Sequence, residues 1–365
     1  MTSQWTAAAV ARIAGAAVPE APVIAAGPQR ILAGFDLWDL WPVCEIDGRV
    51  AEIAGGRLVM LLAAPMLPDP DSRHAIARIR LMHQVGDDWR DLGWLLPDGL
   101  APGSREWAGS AVVDPGHCRL TLFFTAAGQR GETAVGFDQR LFETSADLDG
   151  FAVGKWSQPR ELVVADGVRY VRDMIGGGAI GTIKAFRDPA WFRDPADGRE
   201  YVLFAGSLAQ SSSRWNGAIG SARRHGGQWK LRPPLIAADG VNNELERPHV
   251  IVHDHRYYCF WSTQAKVFAD GGPVGPNGLY GMAADHFAGP WRPLNGTGLV
   301  LANPAAQPLQ AYSWLVLDDL SVISFADLPG LDRPPADTGV ARRHFGGTPA
   351  PVLQLELDGD RSRLA

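Results

Sequence analysis

Three short stretches hold carboxylates in company that could do chemistry: Asp39 in "DLWDLWPV" (36–43), Asp188 in "AFRDPAWF" (185–192) and Glu246 in "NNELERPHV" (242–250). Asp39 follows Trp38, Asp188 stands between Arg187 and Pro189, and Glu244 and Glu246 lie beside Arg247 and Pro248. A fourth stretch, "REWAGSAVV", adds Glu106, Trp107 and Ser110. Any one acid beside an arginine is as readily a surface ion pair as a site. The tetrapeptide "FRDP" recurs at 192–195 in a turn-like setting, where Asp194 reads as a loop acid. Taken together, however, the acids suit glycosyl transfer with retention. That reaction needs an ionised carboxylate as nucleophile and a protonated carboxyl as general acid, roughly 5 Å apart. A third group that fixes sugar hydroxyls helps as oxocarbenium-like charge develops. Thirteen tryptophans supply flat faces that suit sugar rings, although most of them are expected in the core.

Asp39, Asp188 and Glu246 are 149 and 58 residues apart, so only a closed fold can bring them together. The recurring signal is a short apolar strand bounded by Gly, Pro or Asp, as in "GRLVMLLAAP", "CRLTLFFTAAG" and "REYVLFAGSL". "HVIVHDHRYYCFW" and "WLVLDDLSVISF" read as hairpins turning at 254–256 and 318–319. Helical periodicity is confined to "TAAAVARIAGAA", a short helix capped by Thr6. The expectation is an all-β, five-bladed β-propeller with a short N-terminal helical segment. It forms one domain over 1–365, with 1–30 as helix and extended lead-in. A propeller protects its strand edges and aims the inner strand of each blade at one channel. Stretches 270–278 and 326–339, rich in Gly and Pro, read as long loops on that scaffold. "GGGAIG" (176–181) fits a dinucleotide-binding pattern, but Pro189 soon after it argues for a loop and strand instead of the required helix.

The bulk properties narrow the partners. A net charge of −6 without a basic block excludes phosphate-backbone binding, so no nucleic acid is expected. Cys44, Cys118 and Cys259 are odd in number and widely spaced, and read as small core residues. No metal-ligand spacing or phosphate loop appears, so neither metal nor cofactor is expected. The N-terminal segment carries Arg12 and no continuous apolar run. It reads as neither a membrane span nor a Sec signal, which implies a cytoplasmic location or export by a signal-independent route.

At these residues the sequence resembles glycoside hydrolase family 68, the levansucrases, inulosucrases and related β-fructofuranosidases. The likeness runs in order through "QWT", "WDLWPV", "REWAGSA", "AFRDPAWF", "NNELERPH", "GPWRPLNGTGLVL" and "QAYSWLVLDDLSVISF". It implies a five-bladed propeller and a site that acts on sucrose and fructose-containing oligosaccharides. It implies Asp39 as nucleophile, Glu246 as general acid/base and Asp188 as transition-state stabiliser. It implies Trp38 and Trp107 as sugar-binding walls, and Arg187, Glu244, Arg247 and Tyr312 as substrate-holding groups. Arg187 and Arg247 are then expected to keep Asp188 and Glu244 ionised.

Two departures from the family stand out. Ala108 replaces a serine whose hydroxyl binds the nucleophile, which leaves Asp39 less restrained. Gln264 stands on the acceptor side where polymer-forming relatives often carry Arg or His. The expected activity is a retaining, levansucrase-like transfer of fructose to fructan, sucrose or water. The alternatives are a β-fructofuranosidase that makes little polymer and, remotely, a non-catalytic carbohydrate-binding propeller. Asp36, three residues before Asp39, is expected to be a bystander that tolerates mutation.

Overall fold

The computed structural model describes residues 2–172 and 183–365; the 176–181 glycine stretch lies outside them. The fold is all-β, with about 47% strand and 8% helix. The N-terminal helix α1 (Ala7–Ala11) begins where expected, the Thr6 hydroxyl accepting from the Ala9 amide at 3.2 Å. The lead-in is bolted to the sheets. Ser3–Gln4 pairs in parallel with Ile236 and Ala237, and the fully buried Trp5 packs on Trp261, Phe268 and Tyr280.

Among the described residues the strands fall into five antiparallel meanders, each opened by a strand that begins a new run of hydrogen bonding. These leading strands are β1 (Phe35–Cys44), β2 (Arg105–Val113), β3 (Phe186–Arg193), β4 (Glu246–His253) and β5 (Ala311–Val316). The β1 and β2 meanders join through a parallel pairing of Val43 and Cys44 with Ala111 and Val112. Both expected hairpins are present: β4 pairs with Arg256–Thr263 and β5 with Ser321–Ala326. Strands behind the leading ones, such as Arg57–Pro65 and Gly278–Ala284, are buried along almost their whole length. Covered on both faces by neighbouring sheets, they read as continuous apolar runs instead of alternating ones. The layers between them are aliphatic and aromatic, for example Leu203, Trp261 and Met282 in one and Tyr258, Leu279, Trp314 and Val322 in another.

Each leading strand contacts the next, and β5 contacts β1, so the five close a ring. Every one of them is bulged at the same level. Pairing slips between Trp38 and Trp41, Trp107 and Gly109, Arg187 and Ala190, Glu246 and His249, and Tyr312 and Leu315. Four bulges place a non-glycine residue at positive φ: Asp39 (45°), Asp188 (61°), Arg247 (51°) and Ser313 (61°). Such backbone costs of order 1 kcal/mol or more per residue and tends to collect at functional sites. In the β2 bulge the demand is steric, since a Cβ on Gly109 would stand 1.8 Å from the Phe123 carbonyl oxygen.

Three expectations need correction. A second helix, α2 (Thr338–His344), begins within the 326–339 stretch on an Asp337 cap, too short to leave a helical period in the sequence. Only Cys259 is a buried core cysteine; Cys44 is half-buried and Cys118 exposed. Asp194 does follow a strand into a turn, but it is buried and accepts the Tyr257 hydroxyl at 2.6 Å.

Candidate active site

The bulges determine which side chains meet. An unbroken strand alternates its side chains between two faces, whereas an extra residue re-aims one of them. Through their bulges, β1, β3, β4 and β5 bring polar groups into a single network, while the β2 bulge contributes Ala108.

Arg187 is the hub. Its Nη2 lies 2.7 Å from Glu246 Oε1 and 3.7 Å from Glu244 Oε1, and its Nε lies 3.7 Å from Asp188 Oδ2. Arg247 is the second hub. Its backbone N–H donates to Asp188 Oδ2 at 3.2 Å, Nη2 to the Leu40 carbonyl at 3.0 Å, and Nη1 to Ser313 Oγ at 2.9 Å. Asp39 is tied in electrostatically, chiefly by the Arg247 charge. The Tyr312 hydroxyl donates to Glu246 Oε2, and Gln264 also acts on that hydroxyl. Eight of the ten sequence-derived site residues therefore form one connected cluster.

Trp38 on β1 and Trp107 on β2 both meet a neighbouring turn, Pro70–Ala75. The Trp38 ring meets His74 edge-on at 5.7 Å, and the Arg73 guanidinium lies 5.2 Å from the Trp38 centroid. Trp107 Nε1 is 3.4 Å from the His74 carbonyl. Arg73 also acts on the Asp39 carboxylate, which places the tryptophan side next to the carboxylate cluster.

Behind these groups, side chains from adjacent strands clamp the bulges. Thr125 Oγ1 donates to the Ala108 carbonyl at 3.1 Å and accepts from the Asp188 N–H at 2.9 Å. Ser110 Oγ donates to the Pro189 carbonyl and accepts from the Trp191 N–H, both at 2.9 Å. His249 contacts the Arg247 carbonyl through Nδ1 at 3.0 Å and the Val316 N–H through Nε2 at 2.9 Å. Burial depresses its pKa to about 4, so it is neutral. The carbonyl needs a donor and the amide an acceptor, which places the proton on Nδ1. Glu106 does not join the cluster: it is buried and accepts the Ile79 N–H at 2.8 Å.

The electrostatics depart from expectation. Arg187 does pair with Asp188 and Glu244, yet it does not hold them low. Burial pushes Asp188 up to about 7 against the pull of Arg187, and burial together with the neighbouring Glu246 raises Glu244. Four carboxyl groups share a largely dehydrated site with two guanidinium groups, and removing water from the charged form outweighs the ion pairs. Burial also raises Asp39, opposed by Arg247 and the Ser313 hydroxyl. The cost of burying Arg187 is itself exceeded by Glu246, Glu244 and Asp188, which keep it protonated.

Sequence reasoning missed Ser313, Arg73, His74 and Asp327. Asp327 is pushed by burial to about 6, beside Arg73. Ser313 had a signal: it follows Tyr312 as Asp39 follows Trp38 and Asp188 follows Arg187, at the same bulge position. Arg73 and His74 lie in a 3-10 turn, Pro70–Ala75, with no periodicity to mark them.

Carboxylates converging from three strands of an all-β ring, held by arginines and flanked by tryptophans, define a carbohydrate-active site of the two-carboxylate type. The levansucrase/invertase family model, glycoside hydrolase family 68, matches residues 1–223 and 210–365, and the chain belongs to that family. It is 32% identical to a levansucrase of Pseudomonas savastanoi pv. glycinea over 89% of this chain and 82% of the relative. It is 34% identical to a levansucrase of Zymomonas mobilis over 89% and 81%. Its fold superposes on the inulosucrase of Halalkalicoccus jeotgali bound to kestose with a TM-score of 0.90 and 36% identity, covering 100% of this chain and 95% of that one.

Proposed function

We propose that the protein is a retaining fructosyltransferase that acts on sucrose through a covalent fructosyl-enzyme. The observation that carries this reading is the convergence of Asp39, Asp188 and Glu246 through Arg187 and Arg247. Asp39 attacks the anomeric carbon of the fructosyl unit, forming an ester as the glycosidic C–O bond breaks. Glu246 delivers its proton to the departing glucose oxygen. In the second step Glu246 takes the proton of an acceptor hydroxyl, whose oxygen attacks the same carbon and expels Asp39 as a carboxylate. Two inversions at one carbon give retention. Asp188, held by the Arg247 amide, binds fructosyl hydroxyls while positive charge develops. Trp38 and Trp107 wall the sugar, and Glu244, Arg187, Arg247 and Tyr312 fix its hydroxyls and the acid/base. The scaffold is a five-bladed propeller, one blade per meander, a reading supported by the closed ring of leading strands.

The acceptor decides between transfer and hydrolysis. Gln264 lies near Tyr312 and brings no charge to the acceptor side. This observation favours a second reading, in which water at ~55 M competes well against a loosely held sugar acceptor and the enzyme works chiefly as a β-fructofuranosidase. Incubation with sucrose tests both. A deficit of free fructose against free glucose is expected for transfer, equal release for hydrolysis, and no release at all would leave only a carbohydrate-binding propeller.

A further inference from the structure

The β3 bulge sets Asp188 and Pro189 against one residue of the neighbouring strand, between the Arg187–Ala205 and Ala190–Leu203 pairs. Both are buried, so their backbone polar groups need partners inside the protein. Two such partners come from the β2 meander. Thr125, on the Arg119–Ala127 strand that pairs with β2, accepts the Asp188 N–H on Oγ1 at 2.9 Å, and Ser110 Oγ donates to the Pro189 carbonyl at 2.9 Å.

The two hydroxyls are not equivalent. Ser110 holds the outgoing side of the bulge, through Pro189 and the Trp191 N–H. Thr125 holds the residue that carries the carboxyl. It is fully buried, and its single proton goes to the carbonyl of Ala108, the extra residue of the β2 bulge, at 3.1 Å. One oxygen is thus donor to one bulge and acceptor from the next, two roles that a hydroxyl fills at once. The backbone it secures is an unfavourable one. Asp188 lies at a φ of 61°, although a following proline restricts the preceding residue to extended backbone at negative φ. At its other end Asp188 reaches β4, where Oδ2 accepts the Arg247 N–H at 3.2 Å. Asp188 is therefore held from the β2 meander by its amide and from β4 by its carboxyl.

We propose that Thr125 is a positioning residue for Asp188, its hydroxyl coupling the β2 and β3 bulges so that the carboxyl keeps the pose in which it meets the fructosyl hydroxyls. This deepens the reading of Asp188 as transition-state stabiliser and rests on it. Thr125 has no exposed surface, so it acts through Asp188 and not on the sugar. The contacts of Asp188 strengthen as charge develops on the fructosyl carbon, and a displaced carboxyl weakens the transition state more than the bound substrate. Loss of the Thr125 hydroxyl should therefore fall on kcat more than on KM.

The test compares Thr125→Val, which removes the hydroxyl at nearly constant volume, with Thr125→Ser, which keeps it. Glucose release from sucrose is followed, with kcat referred to folded protein. Thr125→Val should lower kcat by about tenfold to a hundredfold with KM within about twofold of native, the size of effect that a small misplacement at the reacting centre produces. Thr125→Ser retains both hydrogen bonds and should stay within about threefold of the native kcat. Where Thr125→Val does not fold, Thr125→Ala removes the same hydroxyl with less crowding and is read by the same criteria. A removal variant with a lowered thermal midpoint but native kcat and KM makes Thr125 a part of the fold alone and overturns the proposal. So does a Thr125→Ser variant that loses about tenfold or more in kcat, whether or not the removal variants fold, because the methyl group and not the hydroxyl would then matter. Asp188→Asn run in parallel separates the two failures. If it keeps native turnover, the role of Asp188 is wrong; if it is inactive while Thr125→Val keeps the native kcat, only the role of Thr125 is wrong.

Discussion

Asp36 and Asp39 lie three residues apart on β1, one fully buried and the other half-buried, and their surroundings could hardly differ more. Asp36 is fully buried and held by three charged donors: Arg30 Nη1 at 2.9 Å, Arg342 Nη1 at 2.6 Å and Arg342 Nη2 at 2.8 Å. These contacts tie β1 to α2 and to the lead-in before β1, and they leave no vacancy for a ligand. Asp39 has no such set of donors, and burial raises its pKa against the pull of the Arg247 charge. A buried carboxylate held by two guanidinium groups is a structural clamp, whereas one that is only partly satisfied keeps the capacity to form a new bond. The bulge between Trp38 and Trp41 separates the two by placing Asp39 alone at positive φ.

The largest effect expected from breaking this comparison is on chemistry. Asp39→Asn should lower glucose release from sucrose by on the order of 10^5-fold, as removal of a nucleophile does, with the thermal midpoint nearly unchanged. Asp36→Ala should do the reverse. It strands two arginines and should cost roughly 3 to 5 kcal/mol of stability, seen in urea unfolding, while turnover per folded molecule stays close to native. The expectation that Asp36 tolerates mutation is thus replaced by that of a fold defect.

Smaller effects sharpen the same contrast inside the site. Tyr312→Phe removes the donor to Glu246 Oε2 and should reduce kcat by about tenfold to a hundredfold, with thermal stability retained. The smallest effect concerns Asp188. Its pKa rises from an ordinary 3.8 to about 7 in the folded protein, so between these values the native state binds a proton that the unfolded chain has released. Stability from this group therefore falls as pH rises through that window. Asp188→Asn should raise the thermal midpoint by about 2 °C at pH values above 7, and the gain should vanish near pH 4, although the variant is inactive.

Much of this was legible before any coordinates. The hairpins at Asp254-His255 and Asp318-Asp319 carry turn residues between apolar runs, and the N-terminal helix has its Thr6 cap in plain view. The carboxylates of the site stand in motifs that the family resemblance reads directly. What stayed hidden depends on distance or on backbone. Arg342 meets Asp36 across 306 residues, and nothing local to either announces it. Positive φ at Asp39, Asp188, Arg247 and Ser313 leaves no glycine behind as a marker, so the alternation of a strand predicts the wrong face for them. The charge state of Asp188 depends on burial among four carboxyls, which a neighbouring Arg187 in the sequence suggests in the opposite sense.

The central claim is that Asp39 forms a bond to the fructosyl carbon. Rapid acid quenching during turnover of sucrose, followed by proteolysis and mass spectrometry, tests it directly. The prediction is a peptide spanning Asp39 heavier by one fructosyl unit, absent in Asp39→Asn; the same adduct on a peptide carrying Asp188 or Glu246 instead, or an adduct that persists in Asp39→Asn, would contradict it.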